Sequence, residues 1–296
     1  MTNIEGNQLS AISRLFSSGV IQEMARKGKS SLFARLVEET RLLENGSSFD
    51  HVYQLFDGAF KLLRKKAHRH EYVYKAALTH KILLGTHNLQ TASMLTEFRV
   101  GECKADLAIL NGTATVYEIK SERDSLSRLE RQLHAYKQVF AKIYVIAGEN
   151  HIDALFRTIS PDVGIMKLSS KHKISPIRKA LDQPERTNPA AIFDAIRLSE
   201  AKQILALNDI AVPRVPNTQL HSALRSRFVE LAPRVAHSGM VQVLKKSRNL
   251  MPLADLVGQL PISLQPAALS IPIRKIDHER LLGAVNTPLS EAMRWA

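Results

Sequence analysis

Three charged side chains stand in a stretch that otherwise has the composition of a sheet core. In "ADLAILNGTATVYEIK", residues 105 to 120, two apolar runs flank Asn111 and Gly112 in a hairpin pattern, and Asp106, Glu118 and Lys120 interrupt them. A charge in a half-buried strand costs free energy unless it is paired or bound to a metal. Two carboxylates held together repel, and a hard divalent cation keeps both ionised; oxygen donors of this kind suit Mg²⁺ or Mn²⁺. A lysine beside them stabilises developing negative charge and orients a water. Metal, lysine and a basic surface together equip a protein to hydrolyse phosphodiester bonds.

That chemistry sets a condition on the strands. Side chains alternate, so Glu118 and Lys120 share one face and Ile119 takes the other. A two-residue Asn-Gly turn would pair Leu110 with Thr113 and set Asp106 opposite Tyr117, on the wrong face. Bringing Asp106 opposite Glu118 requires a three-residue loop or a bulge, with Leu110 facing Ala114 and Gly112 suited to a left-handed conformation.

The surrounding pattern supplies the elements. Strands are expected near 95–100, 105–110, 113–120, 142–146 and 163–168. A helix over 125–140, capped by Asp124, carries Leu126, Leu129, Leu133, Tyr136 and Phe140 on one stripe, and a shorter helix is expected over 151–158. A helix over 70–85, ending near Gly85, precedes the sheet. Apolar residues spaced three and four apart make residues 1–69 a helical N-terminal region, with Gly46 as one helix stop. Residues 169–190, rich in Ser, Pro and basic residues, read as a surface linker, and 191–296 as a helical accessory region. The fold class is α/β, with its core over 70–168.

Asp106, the hairpin and "EIK" (Glu118, Ile119, Lys120) resemble the PD-(D/E)xK nuclease superfamily, whose restriction-endonuclease-like core has the same α-β-β-β-α-β order. Ala105 stands where the motif's name has proline. "QLHAY" places Gln132 and Tyr136 one helical turn apart, similar to the QxxxY motif of RecB-like members, and "HEYVYK" puts Glu71 on the preceding helix, where many members keep an acid. The segment resembles an uncharacterised bacterial family of this superfamily, often found in mobile elements.

The resemblance implies that Asp106, Glu118 and the Ile119 carbonyl hold Mg²⁺ or Mn²⁺, and that Lys120 contacts the attacking water or the scissile phosphate. It makes Glu71 the third acid, with Glu97 competing for that place or forming an ion pair with Arg99. Gln132 and Tyr136 would position the substrate backbone or Lys120, Tyr136 being equally suited to the core, and Arg128 would reach a phosphate. The implied activity is that of a Mg²⁺-dependent deoxyribonuclease in phage defence or mobile-element biology. The alternatives are a silent DNA-binding or regulatory protein on the same fold, or an enzyme that needs a partner subunit.

Composition bears on partners. Among 296 residues, 41 Lys and Arg against 28 Asp and Glu leave a charge of +13, which favours a polyanion and makes DNA the first candidate. Basic residues gather at 61–70, where Lys65 and Lys66 are candidate nucleic-acid contacts, at 167–179 and at 245–248. The 61–70 stretch has too few large apolar residues to favour a membrane-surface helix. Cys103, the single cysteine, excludes an internal disulfide framework and suits a small buried thiol. The histidines lack a zinc spacing, and no apolar run is long enough to cross a bilayer, so a cytoplasmic protein is expected. The C-terminal helices are left for a partner protein or a second copy of the chain.

Overall fold

The computed structural model of the chain describes residues 6–43 and 49–295. It divides into two units: one takes residues up to His80, Ser170–His172 and residues from Leu250 onward, the other Lys81–Ser169 and Lys173–Asn249. In chain order the first unit contributes α1 (Gly6–Arg14), α2 (Ser18–Lys27), α3 (Ser31–Thr40), α4 (Val52–Leu63) and α5 (Glu71–Leu78). The second contributes β1 (Ser93–Val100), β2 (Cys103–Leu110), β3 (Ala114–Lys120), α6 (Leu129–Lys137), β4 (Lys142–Ala147), α7 (Ile152–Thr158), β5 (Gly164–Leu168) and β6 (Ile174–Arg178). It continues with α8 (Pro189–Ala195), α9 (Leu198–Leu207), α10 (Asn217–Phe228) and α11 (Pro233–Ser247). The first unit closes with α12 (Ala254–Gln259), α13 (Gln265–Leu269), α14 (His278–Asn286) and α15 (Leu289–Ala292).

The first unit is helical because its apolar residues recur at helical spacing and have aromatic partners. Phe16 stacks on Tyr72 with ring centroids 4.4 Å apart, and Phe33 and Phe56 meet at 5.3 Å. Ser30 caps α3 by accepting from the Phe33 N–H at 3.0 Å, and α2 stops at Gly28, whose φ of 72° costs glycine little. Gly46, expected to stop a helix, lies outside the described residues. The expected helix over 70–85 is α5 followed by a π-helical turn, Thr79–Leu83, in which the chain passes to the second unit.

The second unit is a mixed α/β structure around a six-stranded sheet in the order β1-β2-β3-β4-β5-β6. β1, β2 and β3 form an antiparallel meander; β3, β4 and β5 are parallel, joined through α6 and α7; β6 closes the edge antiparallel to β5. One core joins Phe98, Ala108, Val116 and Val145 of the sheet to Leu133, Tyr136 and Phe140, and to Ile192, Phe228 and Leu244 of the later helices. Cys103 is buried there as a free thiol.

Three expectations on organisation require correction. Residues 169–190 are not a linker, because they contain edge strand β6 and a 3-10 turn, Pro184–Arg186, that Arg186 ties to Asp162. Residues 191–296 are not one accessory region: α8 to α11 bury their apolar stripes in the sheet's core, while residues from Leu250 belong to the helical unit with α5. The helix expected from Ser125 starts at Leu129, because the Asp124 carboxylate turns back to accept from the N–H and hydroxyl of Ser121 at 2.7 and 2.6 Å. Among the described residues no helix is long and apolar enough to cross a membrane.

Candidate functional site

The β2–β3 hairpin meets the condition that the charged residues impose. Leu110 faces Ala114 across a three-residue loop, Asn111–Thr113, in which Gly112 has φ of 106°. The ladder runs on to Leu107 opposite Tyr117 and stops there. One step further, where Asp106 comes opposite Glu118, the Asp106 Oδ2 accepts from the Ile119 N–H at 2.7 Å. A side chain has taken the place of a strand acceptor. The β1–β2 ladder also omits the position of Asp106, whose counterpart Glu97 has φ of 53°, a conformation that non-glycine residues rarely adopt within a strand.

α6 lies over Glu118 and Lys120. The Lys120 ammonium donates to Glu118 Oε1 and to Gln132 Oε1, each at 2.9 Å. The Tyr136 hydroxyl lies 2.8 Å from Glu118 Oε2 and 2.7 Å from the Lys104 carbonyl, and its single proton serves one of them at a time. Glu118 is 1% exposed and Lys120 6%. Loss of water pushes the Glu118 carboxyl above its ordinary range, and Lys120, Tyr136 and Gln132 draw it only part of the way back. Burial, and then the negative charges of Glu118 and Asp106, raise the Tyr136 hydroxyl as well. The result is a buried polar network of two acids, one base, an amide and a phenol.

The fold thus brings together Asp106, Glu118, Ile119, Lys120, Gln132 and Tyr136. Tyr136, expected either in the core or positioning Lys120 or the substrate backbone, is fully buried in the core, and its hydroxyl bonds to Glu118. Arg128 is exposed at the N-cap of α6. Glu71 is not part of the group: it lies in the helical unit and pairs with Lys75 at 2.5 Å, one turn along α5. Lys65 and Lys66 are exposed and belong to that unit too. Glu97 pairs with Lys104 at 3.6 Å. The sequence reading missed the Lys104 carbonyl, which no side-chain pattern reveals, and His151, whose Nε2 lies 2.9 Å from the Ser121 carbonyl beside Lys120.

The donor set can be compared with a metal's needs. Among the described residues no three His, Cys, Asp or Glu side chains converge where an ion could bind. The carboxylates of Asp106 and Glu118 remain, and their hard oxygen atoms fit Mg²⁺ or Mn²⁺ in kind. Lys120 and Tyr136 already occupy both oxygens of Glu118.

The chain belongs to the family of bacteriophage P4 protein cII, which matches residues 64–247. That span contains the whole polar network and α8 to α11. Protein cII of Enterobacteria phage P4 is 32% identical over 123 residues, 40% of this chain and 46% of that relative; the match thus spans about half of the relative's length. A solved protein of unknown function from Silicibacter pomeroyi is similar with a TM-score of 0.28 and 17% identity, over 40% of this chain and 82% of that one.

Proposed function

We propose that this chain is a divalent-metal-dependent nuclease that hydrolyses phosphodiester bonds in DNA, with its PD-(D/E)xK motif carried by β2, β3 and α6. The observation that carries this reading is the meeting of Asp106, Glu118 and Lys120 at the point where β2 and β3 cease to pair, with Gln132 and Tyr136 reaching the same group from α6. Membership in a phage protein family supports a role in phage or mobile-element biology.

Asp106 and Glu118 would hold Mg²⁺ or Mn²⁺, which neutralises phosphate charge and acidifies a water. The chain's own residues prepare the site in other ways. Gln132 restrains the Lys120 ammonium, so that a positive charge is fixed beside the acids before a phosphate arrives. Tyr136 fixes the Glu118 carboxylate from the opposite side. Burial excludes water that would weaken both contacts.

The test is incubation of linear and circular, single- and double-stranded DNA with the purified protein in Mg²⁺, Mn²⁺ or EDTA, beside Asp106→Ala and Lys120→Ala. Metal-dependent cleavage lost in both variants is the expected result. One observation favours a second reading, a catalytically silent DNA-binding or regulatory protein: Lys120 and Tyr136 satisfy Glu118 without any metal. Equal DNA binding by all three proteins with no cleavage by any would select it.

A further inference from the structure

Lys120 is the last residue of β3, and residues 121–128 carry the chain from it to α6, the helix whose Gln132 holds the Lys120 ammonium. A shift of this connection therefore moves the ammonium and its amide partner relative to one another. The connection is braced from inside by Asp124, whose carboxylate accepts from the N–H and hydroxyl of Ser121 and whose own N–H donates to the Ser121 carbonyl at 3.1 Å. These bonds shape the turn without attaching it to the sheet.

The attachment comes from the segment that follows β4. Three consecutive main-chain carbonyls, those of Lys120, Ser121 and Glu122, each accept from residues 148–151: from the Gly148 N–H at 3.1 Å, from His151 Nε2 at 2.9 Å and from Asn150 Nδ2 at 3.2 Å. The first bond continues the parallel pairing of β3 with β4, in which Lys120 lies beside Ala147. The other two come from side chains, at positions where the strands have ended. A carbonyl only accepts, so His151 carries a proton on Nε2 and Asn150 turns its amide nitrogen toward Glu122. The 3.4 Å approach of Asn150 Nδ2 to His151 Nε2 is then a contact between two donors, each held in place by its own carbonyl. Space between the segments is used closely. A methyl group on Gly148 would stand 2.8 Å from Asn150 Oδ1 and 2.8 Å from the Glu122 carboxyl carbon, so any larger residue there would force one of these side chains to move.

We propose that His151 and Asn150 are positioning residues for Lys120, which fix the chain on its C-terminal side and thereby keep the ammonium between Glu118 and Gln132. Main-chain bonds hold β3 beside β4 without them; the two side chains add control of the residues just past Lys120, from which the approach to α6 follows. The geometry stands on the hydrogen bonds alone, and its use in catalysis rests on the nuclease reading above.

The test reads Lys120 directly. The residue is 6% exposed and its ammonium donates twice, which slows proton exchange enough for a proton–nitrogen-15 correlation of the ammonium at low temperature. Lys120→Arg identifies the resonance by its loss. The parent protein is compared with His151→Ala, with His151→Gln, whose amide nitrogen can donate from the place of Nε2, and with the double variant Asn150→Ala/His151→Ala. Val139→Ala, a core truncation beyond the C-terminus of α6, controls for general loss of stability. The resonance is expected to be sharp in the parent, in His151→Gln and in Val139→Ala, to broaden in His151→Ala, and to broaden further in the double variant. Cleavage of DNA in Mg²⁺ is measured on the same proteins. A small misplacement of a reacting group costs up to about a hundredfold, so kcat is expected to fall about tenfold to a hundredfold in His151→Ala with KM little changed, and to recover in His151→Gln. A resonance as sharp in the double variant as in the parent overturns the proposal, as does its absence from the parent or an equal loss in Val139→Ala. No cleavage by the parent, with the resonance behaving as expected, would remove the nuclease and leave the positioning; cleavage by all the variants at the parent's rate, with the resonance sharp throughout, would do the reverse.

Discussion

Glu118 and Glu200 are the same residue type, and each is 1% exposed, yet the protein treats their charges in opposite ways. Glu200, on α9, receives four donors: Arg248 through Nε and a terminal nitrogen at 2.9 and 2.8 Å, the Ser247 hydroxyl at 2.9 Å and the Arg197 N–H at 2.8 Å. Burial raises this carboxyl, but those donors outweigh it and hold the group below the ordinary carboxylate range. Glu118 accepts from Lys120 and Tyr136, with Gln132 adding to their effect, and burial prevails. Burial does not decide the state of an acid; the number and geometry of its donors do. Glu200 locks α9 to the end of α11, whose Arg248 carbonyl in turn accepts from Ser93 of β1 at 2.6 Å. Glu118 is held with its charge only partly compensated, a state that a fully paired structural lock has no need to keep.

The comparison fails if the two acids respond alike. Glu200→Ala should cost about 3 kcal/mol in urea denaturation, because it leaves the Arg248 guanidinium with no carboxylate. Glu118→Gln should cost less, about 1 to 2 kcal/mol, since glutamine keeps an acceptor for Lys120 and a poorly solvated charge is removed, while the buried ammonium loses its countercharge. Equal losses would show that both are structural locks.

The pH dependence sharpens the same contrast. The Glu118 carboxyl is raised above its ordinary value near 4.5, so the folded protein holds a proton there that the unfolded chain has released. The cost is absent below that value, grows as pH rises through the raised pKa, and persists above it. Glu118→Gln should therefore gain stability relative to the parent protein as pH rises from about 4.5. Glu200 has the opposite sign: its contribution is fully present above 4.5 and is lost as pH falls through its depressed pKa. Thermal unfolding of Glu118→Gln and Glu200→Gln from pH 3.5 to 8 would reveal a failure of either sign.

The smallest effect concerns Tyr136. Tyr136→Phe removes a hydroxyl shared between Glu118 and the Lys104 carbonyl, and should destabilise the fold by about 1 kcal/mol. It should also raise the Glu118 carboxyl further, which carboxyl-carbon NMR titration would register. A lowered value would mean that the phenol is not a net donor to Glu118.

Much of the sheet and the centre of the site were legible because they follow local rules. Alternation placed Glu118 with Lys120, the position of Gly112 allowed the three-residue loop, and a spacing of four put Gln132 and Tyr136 on one side of α6. Other features depended on tertiary partners. Glu71 precedes the sheet in sequence, but its helix packs in the other unit, where Lys75 satisfies it. β6, "ISPIR", is an edge strand with Pro176 inside it, so neither its composition nor its pattern announces a strand. The apolar stripes of α9 and α11 told which faces were buried and not against what. Asp124 had the composition of a helix cap, and its preference for Ser121 came from the path of the loop.

Asp106 accepts a hydrogen bond from the Ile119 main chain, and this couples the site to one spectroscopic nucleus. Any change of charge at that carboxylate, through a proton or a cation, alters the polarisation of the Ile119 N–H bond. The nitrogen-15 resonance of Ile119 is thus a built-in reporter of what occupies the acids, readable without substrate, without turnover and without any chemical alteration of the site.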